Sequence, residues 1–301
     1  MSKIGEILAW KLNKHFPTLA IHKQLGEGLN SVKTNQEWSY HEAQKVAFAF
    51  EPFWKDLKGK NILDIGTGLG GKQPFYFESG AQTLTGIDIS FDNVQVTREL
   101  MNQRGLDGVT HLAACDASAM PFVDNIFDGI VSINVFEHIM KVNEALQEAY
   151  RVLKPNGLAF IHLPPYYSPW GPHLEHWIHI PWAHLVFSDK TLMRVSARVD
   201  ARTQVNSRFV KEAQMDWQKA NDHVPNVNKV TFQQFHHMIQ QAGFTILQLI
   251  LLPIGYERVR NAASPIEKFF WHAIGKGRYL PILREAIITK MIYVLTKESN
   301  R

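Results

Sequence analysis

Short apolar runs alternate along this chain with longer stretches in which apolar residues recur every three or four positions. The runs are typical of buried strands, and the longer stretches are typical of helices with one apolar face. Strands that alternate with helices predict an α/β fold, with a mostly parallel sheet and helices on both of its faces. The predicted strands are 61–65, 83–89, 109–114, 128–133, 158–163, 244–252 and 287–296.

Local signals set the expected helix boundaries. Ser39-x-x-Glu42 matches a capping box, so we expect a helix to begin there and residues 17–37 to form a loop. Pro52 is expected to end or kink that helix. A later helix is predicted over 187–199. The first helix of the chain has an apolar face that consists of Ile4, Ile7, Leu8 and Leu12.

The first strand leads directly into a turn that contains Gly66, Gly68, Gly70 and Gly71. Glycine adopts positive φ and lets a ligand approach the backbone, so we expect this turn to bind a ligand. Two ligand classes fit the pattern. Gly66-x-Gly68-x-x-Gly71 matches the dinucleotide fingerprint, which favours an NAD-dependent oxidoreductase. The carboxylate of Asp64 would repel a pyrophosphate, and it suits a ligand that carries an amine and a sulfonium.

The second strand ends in Asp88, about 20 residues past the glycine turn, where an acidic side chain meets a ribose in nucleotide-binding sheets. A carboxylate can accept hydrogen bonds from two vicinal hydroxyls, so Asp88 is expected to bind a ribose diol. Capping of the next helix is the alternative role. An acidic residue at this position suits both ligand classes. Asp88 therefore supports a nucleoside ligand without deciding which of the two it is.

Composition narrows the function classes. The 301 residues carry a formal net charge of +4 and the pI is about 9.0, which is too mild to indicate nucleic-acid binding. A single cysteine, Cys115, excludes an internal disulfide and a cysteine-based zinc site, and it suits a reducing cytoplasm. The first residues do not resemble a signal peptide, and no apolar run is long enough to span a bilayer. We therefore expect a cytoplasmic protein without a nucleic-acid partner.

Beyond the glycine turn, a series of short motifs resembles one enzyme family. Asp116-Ala117 follows the third strand, Phe127-Asp128 opens the fourth, and Glu137-His138 follows the fourth. With Asp64-x-Gly66-x-Gly68-x-Gly70 and the turn at 153–157, this order resembles the class I S-adenosylmethionine (SAM) methyltransferases, in particular the type 11 small-molecule group. Dehydrogenases do not show the Asp-Ala block. The resemblance implies a Rossmann-like sheet of seven strands, the last antiparallel, and SAM as the cofactor.

The resemblance also implies roles for residues at the strand ends, which face the ligand in such sheets. Asp116 would accept a hydrogen bond from the adenine amino group, and the Ala117 amide would contact the adenine ring. Asn134 would touch the methionine part of SAM. The implied cofactor-binding residues are Asp64, Gly66, Thr67, Gly68, Gly70, Asp88, Ile89, Asp116, Ala117 and Asn134.

The segment 164–230 is longer than a simple connection between a strand and a helix, and such segments are uncommon unless they are functional. We expect it to form an inserted cap. Its first part is rich in aromatic and histidine side chains, which suit a substrate pocket with apolar walls. Tyr166, Tyr167 and Trp170 are the candidates for contact with the acceptor.

Three histidines, His138, His173 and His176, are candidates for the base that a hydroxyl acceptor would need. Histidine is the side chain best matched to proton transfer at neutral pH. His173-x-x-His176-x-x-His179 would also suit a metal, but the spacing does not place the ligands on one helix, and we expect no metal. Packing without a chemical role is the remaining alternative for these residues.

The segment 253–286 interleaves basic and aromatic side chains. Such a stretch would lie on a membrane surface or grip an anionic substrate. Alternatively, the segment is amphipathic and packs on the edge of the sheet. We therefore expect only a weak contact with a membrane surface. The segment includes Lys268, Phe269, Lys276, Arg278 and Tyr279.

The chain is expected to have four parts: an N-terminal helical cover (1–58), a SAM-binding core (59–163), the inserted cap (164–230) and the C-terminal part of the sheet (231–301). The expected activity is methyl transfer from SAM to a small organic acceptor, by an O-methyltransferase that acts on a bulky glycan, polyketide or other natural product. The alternatives are an NAD-dependent oxidoreductase, a non-catalytic binding subunit with this fold, and an RNA methyltransferase, which the mild charge disfavours.

Overall fold

The computed structural model describes residues 3–15, 31–174, 177–203, 227–256 and 265–299. The chain divides into two compact units. The sheet unit comprises Asn35–Leu163, Phe232–Leu251 and Lys290–Arg301, and the second unit comprises Met1–Thr34, Pro164–Thr231 and Leu252–Thr289. The four parts expected from the sequence remain a prediction about how the chain is organised.

Seven strands form one sheet in the order β3-β2-β1-β4-β5-β7-β6. β1 pairs in parallel with both β2 and β4. The chain builds the sheet from β1 outward to β3 and then returns to add β4 on the other side of β1, so the strand order reverses between β1 and β4. β7 is antiparallel to β5. The predicted seven-stranded, mostly parallel sheet with an antiparallel last strand is confirmed. The strands are β1 (Asn61–Ile65), β2 (Thr83–Asp88), β3 (Thr110–Ala114), β4 (Phe127–Ile133), β5 (Leu153–Leu163), β6 (Thr245–Pro253) and β7 (Ile288–Thr296).

Helices of the described residues follow the predicted alternation with strands, and three short 3₁₀ turns lie at Asp107–Val109, Phe136–His138 and Gly277–Tyr279. The helices are α1 (Lys3–Asn13), α2 (Val32–Lys45), α3 (Ala47–Leu57), α4 (Gln73–Glu78), α5 (Phe91–Gln103), α6 (Val142–Val152), α7 (Ala183–Val186), α8 (Asp189–Thr203), α9 (Phe232–Gln241), α10 (Pro265–Lys276) and α11 (Pro281–Ile287).

The expected helix start at Ser39 is wrong. α2 begins at Val32, where the Ser31 hydroxyl accepts a hydrogen bond from the Thr34 amide at 3.2 Å and so supplies the cap. Ser39 lies inside α2, and its hydroxyl donates to the Asn35 side chain at 3.5 Å. Of the expected loop, residues 32–37 are helical, and residues 17–30 lie outside the described part of the chain.

Three other boundaries also differ from the expectation. α3 continues past Pro52 to its end at Leu57. The turn expected at 153–157 is part of β5, where a register shift against β4 bulges the strand and Asn156 takes φ 61°. The helix expected over 187–199 begins at Asp189, because the Ser188 hydroxyl accepts the Thr191 amide at 3.4 Å.

A cluster of aromatic rings packs α3 against the sheet. Phe50 stacks on Trp54 with ring centroids 4.7 Å apart and meets Phe160 of β5 edge-on, also at 4.7 Å. Phe50 also stacks on Tyr76 of α4 at 5.8 Å. All four rings are buried. Large aromatic side chains dominate core energetics, so this cluster fixes α3 and α4 against β5 of the sheet.

His162 is the clearest source of acid sensitivity in the sheet. It is buried in β5, and neither ring nitrogen has a hydrogen-bond partner among the described residues. Burial holds the pKa of His162 well below its usual range, and the charges of Lys290 and Lys72 lower it further. The native imidazole therefore stays neutral at pH values at which the unfolded chain binds a proton.

We expect this difference to destabilise the protein as the pH falls below about 6.5, by up to about tenfold in the folding constant per pH unit. His162→Leu should remove that part of the pH dependence, because leucine fits the apolar surroundings without titrating. Denaturant unfolding at pH 7.5 and 5.5 measures the effect, and His111→Gln at an exposed position of β3 is the control. An unchanged pH dependence in His162→Leu would contradict the assignment.

Candidate functional site

The glycine turn after β1 is held close to β2 by its own backbone. The amides of Gly66 and Thr67 donate to the Ile87 carbonyl at 2.8 and 2.9 Å. A Cβ on Gly66 would lie 2.3 Å from the Val135 side chain, whereas a Cβ on Gly68 would meet nothing within 4 Å. Gly66 is therefore required by packing, and Gly68 presents open backbone that a ligand can approach.

Gly66, Gly68 and Gly70 all have positive φ, at 76°, 56° and 81°. Gly71 meets a different constraint, because a Cβ there would lie 2.2 Å from the Gln36 carbonyl oxygen of α2. The sequence motif therefore serves two purposes. It shapes the turn that faces the strand ends, and it lets α2 pack directly on the turn.

Asp64 lies at the end of β1 and is fully buried. Its Oδ2 accepts a weak hydrogen bond from Gln73 at 3.4 Å, and its Oδ1 has no partner among the described residues. Burial raises the pKa of the Asp64 carboxyl, and the positive charge of Lys72 opposes that rise. A buried carboxylate oxygen without a donor fits a ligand that brings an amine.

Lys72, which the sequence reasoning did not select, places a buried ammonium group among these acids. Its Nζ donates to the Ile133 carbonyl at the end of β4, at 2.5 Å. Burial lowers the pKa of Lys72, and the negative charges of Asp64 and Glu137 oppose that change. Its position directly after the glycine turn was the one available signal.

Asp88 holds the end of β2 against the glycine turn. Its Oδ2 accepts the Gly68 amide at 2.8 Å, and its Oδ1 accepts the Ser90 amide at 2.9 Å and the Asn93 side chain at 3.1 Å. Ser90, and not Asp88, caps α5. Because carboxylate oxygens offer about four acceptor sites, a free acceptor site remains on Oδ2. The ribose role of Asp88 remains a prediction.

Two residues next to Asp88 and β3 offer surface for a purine ring. Ile89 is 79% exposed although it is apolar. Asp116 is exposed, and its Oδ1 accepts both the amide and the hydroxyl of Ser118 at 2.8 Å. These hydrogen bonds lower the pKa of Asp116. The carboxylate is therefore fixed and ionised beside Ala117, as an acceptor for an amino group requires.

The end of β4 carries Asn134, Glu137 and His138. Asn134 takes φ 57°, and its amide donates to the His162 carbonyl at 2.9 Å. Glu137 is buried, and neither of its carboxylate oxygens accepts a hydrogen bond among the described residues. The exposed His138 ring places its Nε2 3.9 Å from Glu137 Oε1. Glu137 was quoted in the sequence motif, but its burial was not predictable from it.

The second unit contains the candidate acceptor contacts. The buried Tyr166 ring meets Tyr167 edge-on at 5.2 Å and His184 at 5.1 Å. Burial raises the pKa of Tyr166 and lowers the pKa of His184 to about 4. Trp170 lines a small apolar cleft together with His184. This unit therefore offers an aromatic surface that includes a neutral imidazole.

The histidine series in the second unit is only partly described. His173 takes φ 56°, and the His179 amide donates to the Asn13 side chain at 2.6 Å. His176 lies outside the described residues, so its role as a base or metal ligand stays a prediction. A left-handed φ is uncommon for histidine and costs free energy. The surrounding structure must therefore hold the His173 backbone in this conformation.

The structure places all ten candidate cofactor residues and His138 in the sheet unit, at the ends of β1 and β2 and in the turns and loops that follow β1, β2, β3 and β4. The candidates Tyr166, Tyr167, Trp170 and His173 belong to the second unit. In open α/β sheets, ligands bind outside the carboxyl ends of the strands where the strand order reverses. Here that point lies between β1 and β4.

Residues 63–161 match the type 11 family of proteins described as "Methyltransferase domain". This part of the chain is a class I SAM-dependent methyltransferase domain. The match covers the strands and turns that carry every candidate cofactor residue. The resemblance drawn from the sequence motifs is therefore confirmed, and SAM is the cofactor of this domain family.

Curated relatives match over the same third of the chain. The 24-methylenesterol C-methyltransferase 2 of Arabidopsis thaliana is 36% identical over 100 residues, which are 33% of this chain and 28% of that protein. The fatty-acid O-methyltransferase of Mycolicibacterium smegmatis is 31% identical over 103 residues, or 34% and 36% of the two chains. The chain thus spans about a third of the length of these relatives, which methylate different atoms.

The fold extends further than the sequence match. A solved structure of geranyl diphosphate methyltransferase in complex with SAM aligns with a TM-score of 0.52 over 85% of each chain, at 12% identity. At this identity the alignment supports the fold alone. Within the described residues, no helix is long and apolar enough to cross a membrane.

The donors and acceptors of the site fit the chemical groups of SAM. The unpartnered Asp64 oxygen suits the amine, and the free acceptor site on Asp88 suits the ribose. Ile89 and Asp116 suit the face and the amino group of adenine. The open backbone at Gly68 leaves room for the ligand between these groups.

Ile89→Asp tests the adenine surface without disturbing the core, because the side chain is exposed. We expect binding of S-adenosylhomocysteine to weaken by tenfold or more, because the substitution loses apolar contact and adds a third carboxylate beside Asp88 and Asp116. Calorimetric titration measures the affinity. Val123→Asp, at a site that is 69% exposed, is the matched control and should bind normally. Equal affinity in both variants would contradict the role of Ile89.

Lys72→Met tests the buried charge cluster. We expect a loss of about 3–5 kcal/mol in unfolding free energy at pH 7, because Asp64 and Glu137 lose their buried cation. The loss should shrink as the pH falls, because a raised native pKa at Asp64 lowers stability increasingly as the pH rises from the unfolded pKa to the native pKa. Urea unfolding at pH 7 and pH 5 measures both effects. Lys45→Met, which removes the more exposed partner of Glu42 and leaves Lys290 3.9 Å from the same carboxylate, should cost less than about 1 kcal/mol.

Proposed function

We propose that this protein transfers the methyl group of SAM to a small organic acceptor. The observation that carries the proposal is the open glycine turn flanked by Asp64 and Asp88, inside a methyltransferase domain. The match covers only about a third of the length of the curated relatives. The activity of the whole protein is therefore proposed from the geometry of this site.

When bound, SAM supplies an electrophilic methyl group on a sulfonium. The chain supplies binding, alignment and shielding. Asp64 holds the amine, Asp88 holds the ribose, and Ile89 and Asp116 fix the purine, so the cofactor has one orientation relative to the strand ends. Alignment of two reactants is the largest contribution that a protein can make to a direct displacement.

An oxygen acceptor would need a base, and His138 is the candidate within the sheet unit. Its ring is partly exposed at the strand ends, and the buried Glu137 carboxylate lies 3.9 Å from its Nε2. We assign His138 the removal of the acceptor proton and Glu137 the orientation of the imidazole and the stabilisation of its charge. His173 and His176 remain the alternative bases.

The acceptor is proposed to be bulky and partly apolar. Tyr166, Tyr167 and Trp170 supply rings and phenols that suit a glycan, a polyketide or another natural product. O-methylation remains a proposal, since one of the relatives methylates the carbon of a sterol and the other the oxygen of a fatty acid. A carbon acceptor would use the same cofactor residues but would not require His138 as the base.

Two alternatives make different predictions for the cofactor. An NAD-dependent oxidoreductase would place a pyrophosphate at the glycine turn, beside the buried Asp64 carboxylate, which disfavours that ligand. A non-catalytic subunit would bind SAM but would not convert it. The buried charges of Asp64, Lys72 and Glu137 favour a working site, because they cost stability without a ligand.

The proposal is tested by incubating the protein with methyl-labelled SAM and a panel of acceptors that contains a phenolic polyketide, a glycan and a fatty acid. We expect label in one acceptor class and release of S-adenosylhomocysteine. His138→Gln should lower kcat by about 10²- to 10⁴-fold for a hydroxyl acceptor and leave SAM affinity unchanged. His111→Gln is the control. Stabilisation of the protein by NADH but not by SAM would refute methyl transfer.

A further inference from the structure

The helix α1 packs on the second unit through one apolar face and exposes another. Ala9 is buried in the cluster that includes residues of α8, and the Asn13 amide donates to the Trp177 carbonyl at 2.7 Å. On the other side lie Ile4, Ile7, Leu8 and Leu12, all exposed. At 100° per residue these four positions share one arc of the helix. Lys11 lies within that arc and is exposed too.

Other helices of the second unit expose large apolar side chains as well. Val186 of α7 is 76% exposed, and Phe269 of α10 is 75% exposed. Tyr279, Leu280 and Leu283 around the start of α11 are also exposed. Scattered single residues of this kind are common, but this unit exposes them on α1, α7 and α10 and around the start of α11, which indicates an interaction surface.

Contacts within the second unit link these helices into one body. Ala9 of α1 and Ala183 of α7 belong to the same buried cluster. The adjacent Trp182 donates its indole N–H to the Ala286 carbonyl of α11 at 2.8 Å. α1, α7 and α11 are therefore held together by buried and half-buried contacts. We call the exposed apolar residues of α1, α7 and α10 and around the start of α11, together with the exposed lysines of α1 and α10, the apolar basic surface.

The charges on this surface are predominantly positive. Lys11, Lys14, Lys268 and Lys276 are all exposed. The Arg278 guanidinium lies over the Tyr279 ring at 4.8 Å and donates to its hydroxyl at 2.8 Å. On α1 the one acidic residue, Glu6, faces the packed side, where Arg194 lies 3.8 Å away. Apolar side chains flanked by lysines suit a negatively charged apolar boundary.

We propose that the apolar basic surface binds the surface of an anionic phospholipid bilayer. α1 and the region around Gly277–Tyr279 would lie in the headgroup layer, with the apolar side chains at the acyl boundary and the lysines at lipid phosphates. A protein partner would have to be acidic and apolar over several helices at once, whereas a bilayer offers both properties continuously. The proposal is independent of the methyl-transfer activity.

Vesicle sedimentation of the full chain tests the proposal. The probes are vesicles of phosphatidylcholine alone and vesicles that contain 30% phosphatidylglycerol, without SAM. We expect binding to the anionic vesicles only, with a marked decrease at high salt. Lys268→Ser should weaken binding about fivefold, since one basic residue near the surface is worth about 1 kcal/mol. Absence of binding to the anionic vesicles would overturn the proposal.

Paired variants locate the surface. Ile4→Glu with Leu8→Glu, and separately Phe269→Glu with Leu280→Glu, should each reduce vesicle binding by tenfold or more. Val123→Glu with Leu247→Glu, at exposed apolar positions of the sheet unit, is the matched control. Thermal unfolding with S-adenosylhomocysteine checks that every variant folds and keeps its cofactor site. Equal loss of binding in the control would overturn the assignment to this surface.

One further outcome would also count against the proposal. If the unchanged protein is a dimer in gel filtration, if the α1 and α10 variants are monomers, and if neither binds vesicles, the apolar basic surface joins two copies of the chain. Failure to methylate any acceptor would leave the vesicle result unaffected, so the two proposals can fail separately.

Discussion

The structure of the site depends on how closely the turn after β1 approaches β2. The Gly66 and Thr67 amides bond to the Ile87 carbonyl, and the Gly68 amide bonds to the Asp88 carboxylate. These bonds consume the polar groups that face β2 and leave the other side of Gly68 open. A side chain at Gly66 would collide with Val135, so the same turn also fixes the loop after β4. One backbone arrangement therefore positions three strand ends at once.

The second constraint is electrostatic. Asp64, Lys72 and Glu137 are buried together, although burial of a charge costs several kcal/mol unless its partners compensate for it. Without a ligand the compensation is incomplete, since one Asp64 oxygen and both Glu137 oxygens lack a hydrogen bond among the described residues. A zwitterionic ligand such as the methionine end of SAM supplies an amine and a carboxylate, so binding would complete the network. The buried charges therefore lower the stability of the ligand-free protein and at the same time prearrange the polar groups of the site.

The strands and the positions of the candidate cofactor residues near the strand ends were predictable, because the signals are local: apolar runs, glycines and acids at strand ends. The roles of these residues in binding the cofactor remain a prediction. Helix α2 was placed too late because Ser31 and Ser39 are equally good caps, and only the close packing of α2 on Gly71 favours the earlier start. The bulge in β5 was read as a turn, since Asn156 suits both. Lys72 and Glu137 were missed as site residues because the burial of a charge depends on distant neighbours.

The same limit applies to α1, whose apolar residues were correctly placed on a helix face. Periodicity shows that Ile4, Ile7, Leu8 and Leu12 lie together, but it does not show whether another helix covers them. In the structure Ala9 and Asn13 make the packed side, and the longer side chains face outward next to Lys11. If both proposals hold, the sheet unit binds a polar cofactor while the second unit, which carries the aromatic acceptor contacts, lies on lipid. An acceptor that partitions into the bilayer would then reach those contacts with little exposure to water, which favours apolar acceptors over glycans.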